Sequence, residues 1–413
     1  MQARRLAARW LIPVDGAPIE YGALLIGPEG RVQSIGPDSV VPRPSHVLAE
    51  DFGNAAILPG LINTHTHLEL TGFAGQIQEP DFPDWIRRLR ELKATRGPAD
   101  YIEAARRGLA ACYAGGVTTI ADTGDSGAAL QALAESGGSG VAYQEVFGPH
   151  PDQSEQSLEG LRERIKGMGR WAGNRVRIGV SPHAPYSVSG PLFRAVAAWS
   201  RSESLPLAVH IAESPAETDL LTRGSGPFAD AWRARGIPLP SPPGLSPVAW
   251  LAQHEVLTAQ TLCIHAVQID GADIRVLADS GAAVAHCPLS NEAHHHGAAP
   301  IGDMLRAGIR VGIGTDSEVS IGRLDMMAEA RAARALARLT AEAAIELCTL
   351  GGARALGIAG QTGSLSVGKW GDCVVMRVRD AGGESSPAEL VLAGSPTDLR
   401  LTCLGGRDVY RAL

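Results

Sequence analysis

Eight short apolar segments, separated by stretches with helical spacing, dominate the middle of this chain. They are "AILPGLINTHTH", "GVTTIADTG", "GVAYQEVFG", "RVRIGVSPHAP", "LPLAVHIAE", "TLCIHAV", "AAVAHCPLSN" and "RVGIGTDS". Between them lie Ala/Leu/Arg stretches such as "YIEAARRGLAACYAGG", "GPLFRAVAAWSRSE" and "MMAEARAARALARLTAEAAIELCT", whose apolar residues recur with a helical period. Strand–helix alternation builds parallel strands joined by helical crossovers. Eight strands of nearly unbroken hydrophobicity predict an α/β fold, a (β/α)₈ TIM barrel of the usual size of about 250 residues. A doubly wound open sheet is the alternative. It requires a glycine-rich phosphate turn after the first strand, and "PGLINTHTHLEL" is not one.

The two ends read differently. Residues 1–57 and 362–413 alternate short apolar runs with Gly and Pro, as in "GALLIGPEGRVQSIG" and "GSLSVGKWGDCVVMRV". The expectation is one small β-domain built from both termini, flanking a barrel over 58–361.

At 413 residues and 45% hydrophobic, the chain can bury a large core. Its net charge of −7 and scattered arginines suggest neither a nucleic-acid groove nor a membrane surface. The six cysteines form no CxxC pair, which fits a reduced, cytoplasmic protein rather than a disulfide framework. The basic, then apolar start is interrupted by Arg9 and lacks a small-residue cleavage site, so it is not read as a signal peptide. No apolar run is long enough to span a bilayer. The expected partner is a small-molecule substrate, and a homo-oligomer is compatible with the sequence.

The polar residues fall in a pattern. His65 and His67 are two apart on a strand, so they share a face. His183, His210, His265, His286 and Asp316 each stand at the end of a later strand. Active sites of this barrel lie at the C-terminal strand ends. Imidazole nitrogens with one carboxylate suit Zn²⁺ or Fe²⁺, with an open position for water. His46, His150 and His254 fall outside strand ends and read as structural or exposed.

The ordered set "PGLINTHTHLE", "GVTTIADTG", "SPHAPYSVS", "HIAES", "IHAV", "HCPLSN" and "GTDSEVSIGRLDM" resembles the amidohydrolase superfamily, in its deaminase and chlorohydrolase branch. The resemblance covers essentially the whole chain and implies that the terminal strands form a small β-sandwich. It also implies one divalent ion, Zn²⁺ as first candidate and Fe²⁺ as second, bound by His65, His67, His210 and Asp316. Glu213 is then the proton shuttle, His265 hydrogen-bonds the activated water, Asp316 is catalytic as well as a ligand, and His183 and His286 face substrate. Strict strand parity points Glu213 away from His210, so the loop "ESPAE" must turn it back.

Lysine usage limits the metal count. The only lysines are Lys93, Lys166 and Lys369, and none lies in a predicted barrel strand. Two-metal relatives need a bridging carboxylated lysine on the fourth strand, so a single ion is expected. That favours deamination or dechlorination of an aromatic ring over amide-ring opening. Nucleobase deaminases built on H-x-E and P-C-x-x-C are excluded, because "AHCPLSN" has one cysteine.

The loop "TGFAGQIQEPDFPDWIRRLRELK" is expected over the pocket mouth. Phe82 and Trp85 could stack on a substrate ring there, although Trp85, Leu89 and Leu92 also fit helical spacing and a core role for Trp85. "DFPDWIRRL" resembles the same stretch of the aminodeoxyfutalosine deaminases of menaquinone biosynthesis. Arg87, Arg88, Arg90 and Glu91 offer polar anchors, and on that resemblance an arginine here, Arg87 first, could pair with a substrate carboxylate in the bidentate geometry guanidinium favours. "NEAHHHGAAP" departs from the family pattern at His294, and the run His294–His295–His296 is read first as solvent-facing or an incidental metal binder; because the loop follows the seventh strand, it could instead place one histidine against substrate.

Three functions follow. The first is metal-dependent release of ammonia from an adenine-type nucleoside such as aminodeoxyfutalosine. The second is dechlorination or deamination of triazines or other nucleobases. The third, a barrel scaffold without catalysis, has no use for a proton shuttle such as Glu213.

Overall fold

The protein is described here from a computed structural model, which covers residues 2–240, 244–379 and 385–412. Eight parallel strands run in sequence order around a nearly closed barrel. They are Leu61–Thr66, Val117–Gly124, Gly140–Val146, Val176–Pro182, Leu207–Ile211, Thr261–His265, Ala283–His286 and Arg310–Ile313. The second and third are buried along their whole length, as expected of strands covered on both faces. The chain is thus a (β/α)₈ TIM barrel with a separate sheet.

The eight strands of that second sheet come from both ends of the chain. Ala55–Pro59 pairs antiparallel with Cys373–Arg377, which joins the N-terminal strands to the C-terminal ones. Leu6, Leu24, Ile26, Ile57, Val375 and Leu401 fill its core. Thr402 Oγ1 donates a 2.7 Å hydrogen bond to the Tyr113 carbonyl, tying this sheet to the barrel helix Pro98–Ala114.

One reading of the sequence is revised. "AILPGLINTHTH" is not one strand: it breaks at Gly60, with Ala55–Pro59 in the terminal sheet and Leu61–Thr66 in the barrel. A Cβ on Gly60 would lie 2.1 Å from Thr118 Oγ1, so only glycine fits this crossing point. The long Ala/Arg stretch is two helices, Met326–Ala337 and Ala341–Leu347. Arg338, at φ 51°, ends the first, and Thr340 caps the second by accepting from the Ala343 N–H. Among the described residues, no helix is long and apolar enough to cross a membrane.

The segment after the first barrel strand carries the helix Phe82–Lys93. Its last residue docks it: Lys93 Nζ lies 2.8 Å from Glu69 Oε1 and 2.7 Å from Asp125 Oδ1. Arg96 adds bonds of 2.7 and 2.8 Å to the carbonyls of Glu69 and Thr71. The helix is thereby fixed over the C-terminal mouth of the barrel.

Closure of the barrel happens beside His65. The backbone N–H groups of Thr315 and Asp316 both donate to the His65 carbonyl, each at 3.0 Å. This approach requires glycine at position 314, where a Cβ would sit 2.7 Å from both the nitrogen and the oxygen of His65. Gly314→Ala should therefore open the seam, costing about 2–4 kcal/mol of stability by overpacking and lowering metal retention. Gly360→Ala, at a site with no atom within 4 Å of the new Cβ, should stay within about 0.5 kcal/mol of wild type. Chemical denaturation and metal analysis of both variants check this; a neutral Gly314→Ala would contradict it.

Candidate metal centre

His65 and His67 converge although the first strand ends at Thr66: their ring centroids are 4.8 Å apart. His210 joins them at 4.9 Å from His65 and 5.4 Å from His67. Asp316 completes the group, its Oδ1 lying 3.5 Å from Nε2 of both His65 and His67. The other carboxylate oxygen is held by hydroxyls, accepting from Ser290 at 2.6 Å and Ser320 at 3.0 Å. One oxygen is thus turned toward the histidines and the other is fixed.

The ring orientations suit a cation. His67 Nδ1 donates to the Thr123 carbonyl at 2.7 Å, and His210 Nδ1 to the His183 carbonyl at 3.1 Å, which leaves each Nε2 lone pair toward the cluster. Neither ring nitrogen of His65 has a hydrogen-bond partner, although the residue is buried. Burial pushes His67 down to about 4 and His210 well below the ordinary imidazole range. Neutral imidazoles keep the lone pairs a metal needs. Burial alone would raise Asp316, but the close approach of His65 and His67, each with Nε2 3.5 Å from Oδ1, holds it well below the carboxylate range. Orphaned buried nitrogens facing a carboxylate are what a divalent ion would satisfy.

Among the described residues, besides His65 with His67 and Asp316 and His65 with His210 and His265, Glu145 with His183 and His210 also falls within 4.8 Å. It is the poorer cage. Burial raises the Glu145 carboxyl well above its usual range, favouring the protonated form, and His210 has one free nitrogen to give.

Glu213 lies beside the cluster because the backbone turns it there. Ala212, just past the fifth strand, sits at φ 51°, reversing the parity that would point Glu213 outward. Glu217 locks this turn, accepting from the Ala212 N–H at 2.9 Å and the Glu213 N–H at 3.0 Å. Glu213 Oε1 then lies 3.5 Å from His265 Nε2, and Tyr186 donates to Oε2 at 3.4 Å. Burial, with Asp316 and Glu217 nearby, pushes the Glu213 carboxyl well above its usual range. His265 itself is at φ 72° and is oriented by Nδ1 donating to Asn291 Oδ1 at 3.0 Å. Left-handed backbone at Ala212, His265, Ala266 and Asp316 concentrates strain around one site.

The remaining expectations divide. His183 lies tilted against His210, ring centroids 4.7 Å apart, its Nδ1 2.8 Å from the Ser187 hydroxyl. His286 is buried at the end of the seventh strand, donating from Nδ1 to the His265 carbonyl at 3.1 Å. Phe82 borders the site, and Trp85 stacks on Phe82 and meets His294. Trp85 also packs with Leu70, Phe73 and Leu92, so it joins a small apolar cluster as well as the mouth. Arg87 does not reach the pocket. It is exposed on the outer face of its helix, bonded to Glu91 at 2.9 Å and facing Asp84, so the carboxylate-binding role is withdrawn. Of the His294–His296 run, His295 faces solvent, whereas His296 is buried against Phe82 and Glu213, on the pocket side that the sequence left open for one of the three. The sequence reading assigns no role to Asn291, Ser290 and Glu217, although the first two lie in "HCPLSN" and Glu217 closes "ESPAE".

Residues 56–397 match the Amidohydrolase family, and the chain belongs to it. It is 30% identical to a 5-methylthioadenosine/S-adenosylhomocysteine deaminase of Desulforudis audaxviator, over 97% of this chain and 92% of that one. It is 32% identical to an aminodeoxyfutalosine deaminase of Deinococcus radiodurans, over 78% of each. Among solved structures, a zinc-bound adenosine deaminase from Xanthomonas campestris superposes with a TM-score of 0.85 at 23% identity, covering 98% of this chain and 92% of that one.

Glu217 provides a pH test of the site's scaffold. Burial raises its carboxyl to about 7 from an ordinary 4.5, against the opposing backbone bonds from Ala212 and Glu213. Between those two values the folded chain holds a proton that the unfolded chain releases. The stabilisation is therefore full below 4.5 and is lost as pH rises through 7. Glu217→Gln cannot titrate, so its stability relative to wild type should improve by roughly 2–3 kcal/mol from the low to the high end of that window. Denaturant unfolding of both proteins measures this; a constant difference would contradict it.

Proposed function

We propose that this chain is a metal-dependent aminohydrolase with one ion per subunit, releasing ammonia from the ring of an adenine-type nucleoside. His65, His67, His210 and Asp316 would hold the ion, with Zn²⁺ the first candidate. When bound, such an ion acts as a Lewis acid and lowers the pKa of water from about 15.7 towards 7.

The observation that carries the reading is Glu213, a buried carboxyl whose Oε1 lies 3.5 Å from His265 Nε2. A group with a raised pKa can take a proton from attacking water and return it to departing nitrogen. His265, with Nδ1 donating to Asn291, presents Nε2 as an acceptor that orients the water. His183 and Phe82 line the space a planar ring would occupy, and Tyr186 steadies the far oxygen of Glu213. Deaminase-named relatives on both sides support the class. Aminodeoxyfutalosine is one candidate substrate, and it would place the chain in menaquinone biosynthesis. Six free, buried cysteines fit a reducing compartment, so we assign the protein to the cytoplasm.

The test is an ammonia-release screen over adenosine, 5′-deoxyadenosine, methylthioadenosine, S-adenosylhomocysteine, aminodeoxyfutalosine and a chlorotriazine, with metal analysis. His67→Ala should lose both metal and activity. Glu213→Gln leaves every ligand in place, so it should keep metal and lose about 10²–10⁴-fold in kcat, with KM changing little. A Glu213→Gln variant within about tenfold of wild type would refute the shuttle assignment.

A further inference from the structure

His296 is a buried residue of this site that the proposed reaction leaves without a role. The backbone is arranged to bring it inward. After the helix Pro288–Ala293, His295 takes φ 55°, and the His296 N–H donates to the Asn291 carbonyl at 2.9 Å. Gln268 Nε2 donates to the His296 carbonyl from the other side. A left-handed residue at a helix end reverses the chain, so His295 is exposed while its neighbour turns in. The His296 ring, 3% exposed, meets the Phe82 ring edge-on at 4.5 Å and stacks with His294 at 5.4 Å.

Neither of its ring nitrogens has a hydrogen-bond partner. Leaving both unsatisfied in a buried site costs stability unless a ligand uses them. The nearest polar group is the proton shuttle itself: His296 Nδ1 lies 3.8 Å from Glu213 Oε1. That is too long for a direct hydrogen bond. It does allow one atom to sit between the two groups, within about 2.8–3.0 Å of each.

Building on the aminohydrolase reading, we propose that His296 is a leaving-group specificity residue whose Nδ1 accepts a hydrogen bond from the departing amino nitrogen. In the reaction the water oxygen bonds to the ring carbon and the ring C–N bond breaks. The water's proton passes through Glu213 to that nitrogen, which leaves as ammonia. His296 gains and loses no proton. Burial holds its imidazole down at about 3, so it is neutral and offers a lone pair. An amino group acquiring a proton gains N–H bonds and positive charge, which a lone pair stabilises. A departing chloride has no N–H and carries negative charge, so the same lone pair gives it nothing. The residue thus selects nitrogen over halide as leaving group.

The experiment compares adenosine or 5′-deoxyadenosine, whichever the wild type turns over faster, with the corresponding 6-chloropurine nucleoside. His296→Phe keeps the ring and removes both nitrogens; His296→Leu does so in less volume should Phe not fit. On the amino substrate kcat/KM should fall about 10- to 100-fold, as expected when a polar partner is left unpaired. On the chloro substrate it should stay within about threefold, since no such bond is lost. His296→Asn places an amide near the Nδ1 position and should recover most of the amino activity, with metal content unchanged in all variants. Equal losses on the two substrates, or no loss on the amino one, would overturn the proposal while the aminohydrolase reading stands. A wild type that releases ammonia from no adenine nucleoside would overturn the reading and the proposal together.

Discussion

The seam between the first and eighth barrel strands is the contact on which the site depends. Asn63 bridges it, donating from Nδ2 to Thr315 Oγ1 at 2.8 Å and accepting from the Thr315 N–H at 3.1 Å. The His65 carbonyl receives two backbone N–H groups from the eighth-strand end. Thr66 Oγ1 adds a 3.0 Å bond to the Asp316 carbonyl. These bonds hold Asp316 at φ 56° and set its carboxylate against the two histidines. Local strain of this kind persists only where the surroundings over-determine it. Here closure of the barrel and assembly of the ligand set are one event.

The same burial that closes the barrel sets the charge states. It depresses His183, His210, His265 and His296 and raises Glu145 and Glu213, so the neighbours of Asp316 are neutral donors, acceptors and acids. A low-dielectric pocket containing one anionic carboxylate and several lone pairs favours a cation. The strongest polar constraints lie one layer out, where Thr123, Ser290, Asn291 and Glu217 fix tautomers and backbone turns without facing the cavity centre.

Much of this was legible in the sequence, for reasons that differ by residue. Strand-end histidines are readable because a parallel barrel delivers every C-terminal strand end to one face. Even so, His67 lies one residue past its strand, and the pairing of His65 with His67 owes as much to the following turn as to strand parity. Parity failed usefully at Glu213, where a non-glycine left-handed residue reverses the face. Which histidine of the His294–His296 run turns inward was not legible, because left-handed backbone at His295 carries no composition signal. The Gly60 break was hidden by an unbroken apolar run, since strand periodicity does not report which sheet a strand joins. Arg87 was misplaced because helix phase, set by Lys93 docking to Glu69, decides which arginines face outward.

The proposed site would hold one ion on three imidazole nitrogens and one carboxylate oxygen at the barrel seam. Zinc-edge absorption and anomalous diffraction on the zinc-loaded full-length protein test it directly. The account predicts a single scatterer per chain, bonded by Nε2 of His67 and His210, a ring nitrogen of His65 and an Asp316 oxygen, at about 2.0–2.2 Å. Two scatterers, or one ion bonded to Glu145 and His183 in place of Asp316, would contradict it.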